Sequence, residues 1–362
     1  MAGIYLHIPF CKSRCTYCDF FSTTLLSQRE TYINALCAEA EERLYTIKEP
    51  IRTIYFGGGT PSLLSSEQIG RILQHLPLST STQEITLEAN PGDLSPQYLH
   101  DLRTVGINRL SIGIQSFDDE VLRFIGRRHT SQQAIQAVRW AQEAGFDNIS
   151  IDLIYGIPMP HHAPLLQLKE QIDTALSLHI QHMSTYCLSY EEGTPIMQMI
   201  ESGRINEVDE DTENAMYDLI AERLTTAGFE HYEVSNFALP HHRSQHNSNY
   251  WNQTPYIGLG AGAHSYDGNN IRSWNPNDLD AYIQNPLCHT CEQLTAVDRY
   301  NERILLGLRT AEGLCLRELH TPELAMPYIE QGLLKHTDDG RIVATLSGIH
   351  ILNQIIENLM EC

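Results

Sequence analysis

The chain has 362 residues, 42% of them hydrophobic and 19% charged, with a formal net charge of −21 and a pI near 5.1. That size suits one large α/β body with a small appendage, and the negative field repels phosphate backbones and anionic lipid surfaces, so nucleic acid is not expected as a partner. No apolar run approaches the ~18 residues of a membrane span. Met1 leads straight into a strand, with no basic region, apolar stretch and cleavage site, so a cytoplasmic protein in a reducing compartment is expected.

Strand-like runs alternate with helical ones along most of the chain. Gly3–Ile8 is predicted as the first strand, followed by a cysteine-bearing loop and a helix over about Ser27–Leu44. Thr53–Phe56 is the second strand, followed by a glycine turn and a helix near Ser65–His75. Glu84–Glu88, Arg109–Gly113, Asn148–Tyr155 and His182–Leu188 continue the pattern, and Glu230–Val234 is the last strand expected. Such alternation argues for a parallel sheet of βα units. Six or more units favour a full or partial (β/α) barrel with its chemistry on the loops after the strand C-termini. An open doubly wound sheet is the runner-up, and periodicity alone does not separate the two. The barrel is assigned to residues 1–235. Residues 236–295, rich in Asn, Pro, Gly and His, are expected to form an irregular segment closing over it. In residues 296–362, Ile329–Leu334, Asp338–Thr345 and a last helix over Gly348–Met360 suggest a mostly helical, winged-helix-like domain serving as a structural cap.

Cys11, Cys15 and Cys18 form a C-x3-C-x2-C motif directly after the first strand. Three thiolates on one short loop can hold three corners of a cubane iron–sulfur cluster, leaving the fourth iron open to a small molecule. A structural zinc site would require a fourth ligand at finger-like spacing, and none lies nearby. A disulfide knot is not expected of a chain with nine cysteines and no secretory signal. An open-site cluster would also make the protein oxygen-sensitive.

With this spacing and its surroundings, from Tyr5 to about Gly156 and again at His246–Trp251, the chain resembles radical S-adenosylmethionine (SAM) proteins. Within them it is similar to the coproporphyrinogen dehydrogenase-like branch and its HemW-type heme chaperones. The resemblance implies a partial, TIM-like (β/α) barrel carrying a [4Fe-4S] cluster and SAM. Gly58, Gly59 and Thr60 would hold the amino end of SAM, in a turn where glycine lets the backbone approach a ligand closely. Tight βα turns use glycine in any case. Glu88 could accept ribose hydroxyls or serve as a helix N-terminal charge. Arg127 suits a bidentate grip on the SAM carboxylate, with Arg128 as the competing candidate. Asp152, a carboxylate inside an apolar strand, must meet a partner, and the resemblance places it at the ribose. Gln115 belongs to the same set, while Tyr5 and Tyr17 match positions contacting the methionine end and the adenine. No G-x-S-x-G, H-E-x-x-H or P-loop is present.

Two features point to the chaperones rather than the dehydrogenases. Phe20 stands where the dehydrogenases carry a further cysteine, and the chain ahead of Tyr5 is too short for their lid. His246-Asn247-Ser-Asn-Tyr250-Trp251 reproduces the H-N-x-x-Y-W signature of the HemW type. An imidazole can ligate heme iron axially, and Tyr250 and Trp251 offer flat faces to a macrocycle. The plain alternative is a loop packed by its own aromatics around a hydrogen-bonded His–Asn pair. His241, His242 and His264 compete with His246 as axial ligand. Cys288-x-x-Cys291 could be a redox pair or half a zinc site, but no second pair accompanies it, so incidental thiols are expected. Cys37, Cys187, Cys315 and Cys362 are read as packing or terminal residues, and His161-His162 as loop histidines. The resemblance thus implies a carrier that binds heme and delivers it to acceptor hemoproteins at the cytoplasmic membrane face, with a homodimer open. The alternative function is an oxygen-independent coproporphyrinogen III dehydrogenase, in which a radical cut from SAM drives decarboxylation.

Overall fold

The computed structural model describes residues 2–44, 49–159 and 163–361, so His161, His162 and Cys362 lie outside the described residues. Six strands lie side by side in sequence order, all parallel: β1 (Ala2–Ile8), β2 (Ile51–Gly58), β3 (Glu84–Ala89), β4 (Arg109–Gln115), β5 (Ile149–Tyr155) and β6 (His182–Cys187). Helices such as Arg29–Leu44, Ser66–Gln74, Pro96–Val105, Ser131–Glu143 and Pro164–Ser177 cross between them. The order lacks the reversal that defines a doubly wound sheet. β1 pairs with β2 and β9, and β6 with β5 and β8, so the barrel is open between its first and sixth strands.

Strand side chains alternate between two faces, and here the two faces differ in kind. Ile4, Leu6 and Ile8 of β1, Ile54 and Phe56 of β2, Ile85 and Leu87 of β3, and Leu110, Ile112 and Ile114 of β4 are buried in one core with the surrounding helices. The intervening positions are Tyr5 and His7, Thr53 and Tyr55, Glu84, Thr86 and Glu88, then Arg109 and Ser111. β5 and β6 continue the pattern with Ser150, Asp152, His182 and Ser184. Strands of a filled barrel carry branched apolar residues on the inner face as well. A polar inner face marks this interior as binding space.

The sheet continues past the parallel strands at both edges. β8 (Asn236–Ala238) pairs antiparallel with β6, and β7 (Glu230–Glu233) pairs with β8. The predicted last strand therefore forms, but as the outer member of a hairpin. At the other edge β9 (Tyr256–Leu259) runs parallel to β1, and β10 (His264–Tyr266), β11 (Ile271–Trp274) and β12 (Thr290–Gln293) follow in antiparallel order. The stretch expected to be irregular is thus largely ordered. Its strands have only three or four residues, too few to display an alternation in sequence.

From Ala296 onward a separate core, including Tyr300, Ile304, Leu314, Ile342, Ile355 and Ile356, joins helices to a three-stranded antiparallel sheet. The last helix expected as one piece is two, Leu346–His350 and Leu352–Leu359, broken at Ile351, whose φ is −118°. No helix among the described residues is long and apolar enough to cross a membrane.

The N-terminal end of the barrel is plugged by the helix Gln245–Trp251. Glu84, 2% exposed, accepts the backbone N–H groups of Gln245 and His246, both at 3.0 Å. Arg109, 1% exposed, stands 4.0 Å from the same carboxylate, the outer limit of an ion pair, and its Nε has no hydrogen-bond partner among the described residues. Glu84→Ala strands two N–H groups and a buried cation, so it should cost about 3–5 kcal/mol of stability, with Glu84→Gln costing less. Urea unfolding measures this, and a loss below about 1 kcal/mol for the alanine variant would contradict the role given to Glu84.

Candidate functional site

The cysteine loop is fastened at its neck and at its tip. Cys11 N–H donates to the Thr23 carbonyl at 2.8 Å, and Thr23 N–H to the Pro9 carbonyl at 2.7 Å. At the tip, Thr16 N–H donates to the Ile125 carbonyl at 3.1 Å, and Ile196 N–H to the Thr16 carbonyl at 3.0 Å. The half-buried, unpaired thiols of Cys11, Cys15 and Cys18 thereby line one cavity of about 380 Å3 at the C-terminal mouth of the barrel. Such a volume is ordinary for a small-molecule site. Cys11 Sγ lies 3.5 Å from Thr60 Oγ1, and Arg127 Nη1 donates to Cys15 Sγ at 3.6 Å. Burial pushes the Cys18 thiol up to about 11, with Cys15 and Cys11 adding to the shift, so metal loading there must displace a proton. Among the described residues no three Cys, His, Asp or Glu are gathered to hold a single metal ion. A cubane cluster makes no such demand, because each thiolate takes a different iron.

The strand ends supply the rest of the wall. Gly58 has φ +110°, and a Cβ on Gly59 would come within 2.8 Å of the Phe10 carbonyl and 3.0 Å of Cys11 Sγ. Only glycine permits this approach. Glu88 accepts from Tyr55 Oη at 2.8 Å and from Gly58 N–H at 3.2 Å, and Asp152 accepts from Ser111 Oγ at 3.3 Å. Burial raises Glu88 to about 7, with Asp152 adding to it, and raises Asp152 to about 6. Arg127 also donates to the Gly113 carbonyl, while its buried Nε has no partner among the described residues. Arg128 and Lys12 instead bind Asp93, at 3.0 and 2.9 Å; both arginines line the cavity, and Arg127 is the one without a carboxylate partner among the described residues. Tyr17 and Gln115 line the same cavity, Gln115 with φ +67° where the β4–β5 register shifts.

A second cavity, of about 390 Å3, adjoins the first across Phe20, which lines both. Tyr5, His7, Phe21, Tyr250, His264 and Trp274 are in its wall. His246 is 1% exposed, with Nδ1 2.9 Å from Thr53 Oγ1 and Nε2 3.0 Å from Tyr250 Oη. Burial pushes its pKa down to about 3.

Residues 5–172 match the Radical SAM superfamily. The chain is 34% identical to the heme chaperone HemW of Bacillus subtilis (strain 168), over 98% of each protein. It is 36% identical to the Lactococcus lactis heme chaperone HemW, over 98% of this chain and 96% of that one. The chain belongs to the HemW family of radical SAM proteins. Membership implies a [4Fe-4S] cluster and SAM. Among solved structures, the coproporphyrinogen III oxidase HemN of Escherichia coli superposes with a TM-score of 0.83, at 22% identity over 99% of this chain and 90% of that one. That likeness establishes a common scaffold.

For a HemW family member, the cavity fits SAM and a cluster in kind. It offers three unpaired thiols, a glycine cradle too close for side chains, and a buried guanidinium nitrogen awaiting an acceptor. Cys11, Cys15, Cys18, Tyr17, Gly58, Gly59, Thr60, Glu88, Gln115, Arg127 and Asp152 all line it. Tyr5 does not. It faces the second cavity, on the strand that borders the open side of the barrel, 6.2 Å from the Tyr55 ring and 6.4 Å from that of His246. His246 is no exposed ligand either, since both its ring nitrogens are engaged. Asn247 and Trp251 are half-buried on the same helix and line neither cavity. Sequence reasoning missed Ser111, Tyr186 and Cys187, which also line the mouth; Cys187, read as a packing residue, is exposed there. Their signal is register, since each sits on or beside the inward phase of β4 or β6. Cys288 and Cys291 are exposed and unpaired.

Glu88 gives a pH test. Its folded pKa of about 7 exceeds the ordinary ~4.3 of an unfolded Glu, so the fold favours the protonated form. Its contribution to stability is intact below about pH 4 and is lost as pH rises through about 7. In the ligand-free protein, the stability of Glu88→Gln relative to wild type should therefore climb across that window and level off above it. Urea midpoints over a pH series check this, and a gap independent of pH would count against it.

Proposed function

We propose that this chain binds heme and hands it to acceptor hemoproteins, while carrying a [4Fe-4S] cluster and SAM in the barrel mouth. The observation behind the reading is the reach of the similarity. Identity to the heme chaperones HemW of B. subtilis, L. lactis and E. coli (strain K12) runs from 32 to 36% over 98% of the chain. It thus takes in the β9–β12 extension and the C-terminal region as well as the cysteine loop.

In this reading Cys11, Cys15 and Cys18 hold the cluster, which when bound supplies an open iron for the amino and carboxylate groups of SAM. Gly58, Gly59 and Thr60 offer backbone groups to the amino end. Arg127, aimed by the Gly113 carbonyl and Cys15, presents its free Nε to the carboxylate. Glu88 and Asp152 face the ribose, and Tyr17 and Gln115 close the wall towards the adenine. The second cavity receives the heme. His246 serves that cavity by holding the hydroxyl of Tyr250, and Asn247 and Trp251 are given no contact with the macrocycle. The scaffold shared with HemN carries no reaction with it.

The test is one anaerobic sample measured twice. Reconstituted protein should hold about four irons and four labile sulfides per chain, and heme titration should produce a Soret band shifted from that of free heme. Cys15→Ser should lose the cluster iron. Absence of any heme spectrum would overturn the carrier reading. Conversion of coproporphyrinogen III to protoporphyrinogen IX with SAM and reductant would replace it with the dehydrogenase.

A further inference from the structure

We propose that His264 is the axial ligand by which this protein grips heme iron, in the aromatic cavity between β1, β10 and the cysteine loop. The inference rests on the heme-carrier reading and adds to it the ligand and the place. An axial ligand needs a ring nitrogen with an uncommitted lone pair, facing a space where a flat macrocycle can lie.

The histidines near the open edge of the barrel differ in this respect. His7 is 6% exposed, its Nδ1 3.1 Å from Tyr5 Oη and its Nε2 2.9 Å from the Phe21 carbonyl. His246 bridges Thr53 and Tyr250 and is sealed under the barrel. His241 and His242 follow β8 and line neither cavity. His264 is exposed and lines the second cavity, and its ring makes no hydrogen bond among the described residues.

The fold also fixes that ring in place. His264 opens β10 directly opposite Trp274 on β11, and their rings stack at 5.9 Å and 21°, as close cross-strand neighbours do. Behind it β9 passes so near that a Cβ on Gly258 would lie 2.1 Å from the His264 carbonyl oxygen. The preceding turn is tied to the fully buried Glu39, which accepts from Gly260 N–H at 2.8 Å, Asn275 Nδ2 at 2.7 Å and Tyr282 Oη at 2.7 Å. Tyr250 and Tyr256, edge to face at 4.7 Å, give the cavity a flat apolar wall. Phe20, 66% exposed, stands at the rim towards the cysteine loop. Because His264 and Phe20 are both exposed, a macrocycle held there keeps one side open to an acceptor.

Heme titration of the full-length protein, read by absorption and magnetic circular dichroism, tests the assignment. His264→Ala should lose the histidine-ligated signature and weaken heme affinity at least ~10-fold, the loss that even an outer-shell partner of a metal ligand brings. His264→Gly should behave alike and regain the signature on addition of imidazole. His246→Ala should keep histidine ligation. The assignment falls if His264→Ala retains the wild-type spectrum and affinity, if imidazole restores nothing, or if ligation is lost in His246→Ala instead. A wild-type protein that takes up no heme would sink the carrier reading itself, a result distinct from each of these.

Discussion

Arg109 lies on the floor of the barrel, 1% exposed, between Glu84 below and the carboxylates of Glu88 and Asp152 above. Its field lowers the proton affinity of both upper carboxylates, and burial outweighs it in each. A buried cation of this kind is tolerable only among anions, and it offsets part of the cost of burying these carboxylates. The polar inner face is therefore one electrostatic unit, and the remaining architecture is arranged around it. At the closed end Glu84 accepts two backbone N–H groups and faces Arg109 at 4.0 Å. At the mouth Glu88 and Asp152 retain proton affinities near neutrality and acceptor capacity for a ligand's hydroxyl groups.

The helix Gln245–Trp251 links this unit to the second cavity. Its N-terminal N–H groups rest on Glu84, His246 reaches into the barrel to Thr53, and Tyr250 turns outward to the aromatic wall. The signature His-Asn-x-x-Tyr-Trp segment accordingly works as a joint between floor and cavity. Phe20 links the two spaces at the other end, since it belongs to the cysteine loop and lines both cavities. Any shift of that loop changes the shape of each.

Most of the parallel barrel is legible from sequence because its strands are six to eight residues long and bounded by helices. The site at the mouth is legible for the same reason. Gly58, Glu88 and Gln115 sit at or near strand C-termini, so chain order alone assembles them on one rim, which Asp152 reaches from the middle of β5. Tyr5, as far along its strand as Asp152, falls outside that rim because β1 borders the open side of the barrel, where its neighbour β9 arrives from about 250 residues later. Ser111 and Arg109 lie in the inward phase of β4, but sequence alone does not say which phase of a strand turns inward; the curvature of the sheet decides that. The 236–295 stretch was illegible because its strands are short and their pairing is with β1, β6 and one another. The break at Ile351 has no proline or glycine at that residue to announce it.

His246 and His264 illustrate what a motif does and does not disclose. A signature marks residues with a demanding structural task, and a side chain that must join β2, a helix and a tyrosine hydroxyl has both ring nitrogens occupied. Ligation asks the opposite, a nitrogen left free on a rigid footing. Glu39, Gly258 and Trp274 supply that footing to His264 from three separate elements, none of them in the signature. The same distinction separates Arg128, whose guanidinium Asp93 occupies, from Arg127, whose Nε has no acceptor among the described residues, although both line the mouth. In both cavities the group assigned to the ligand is the one that the fold positions without satisfying.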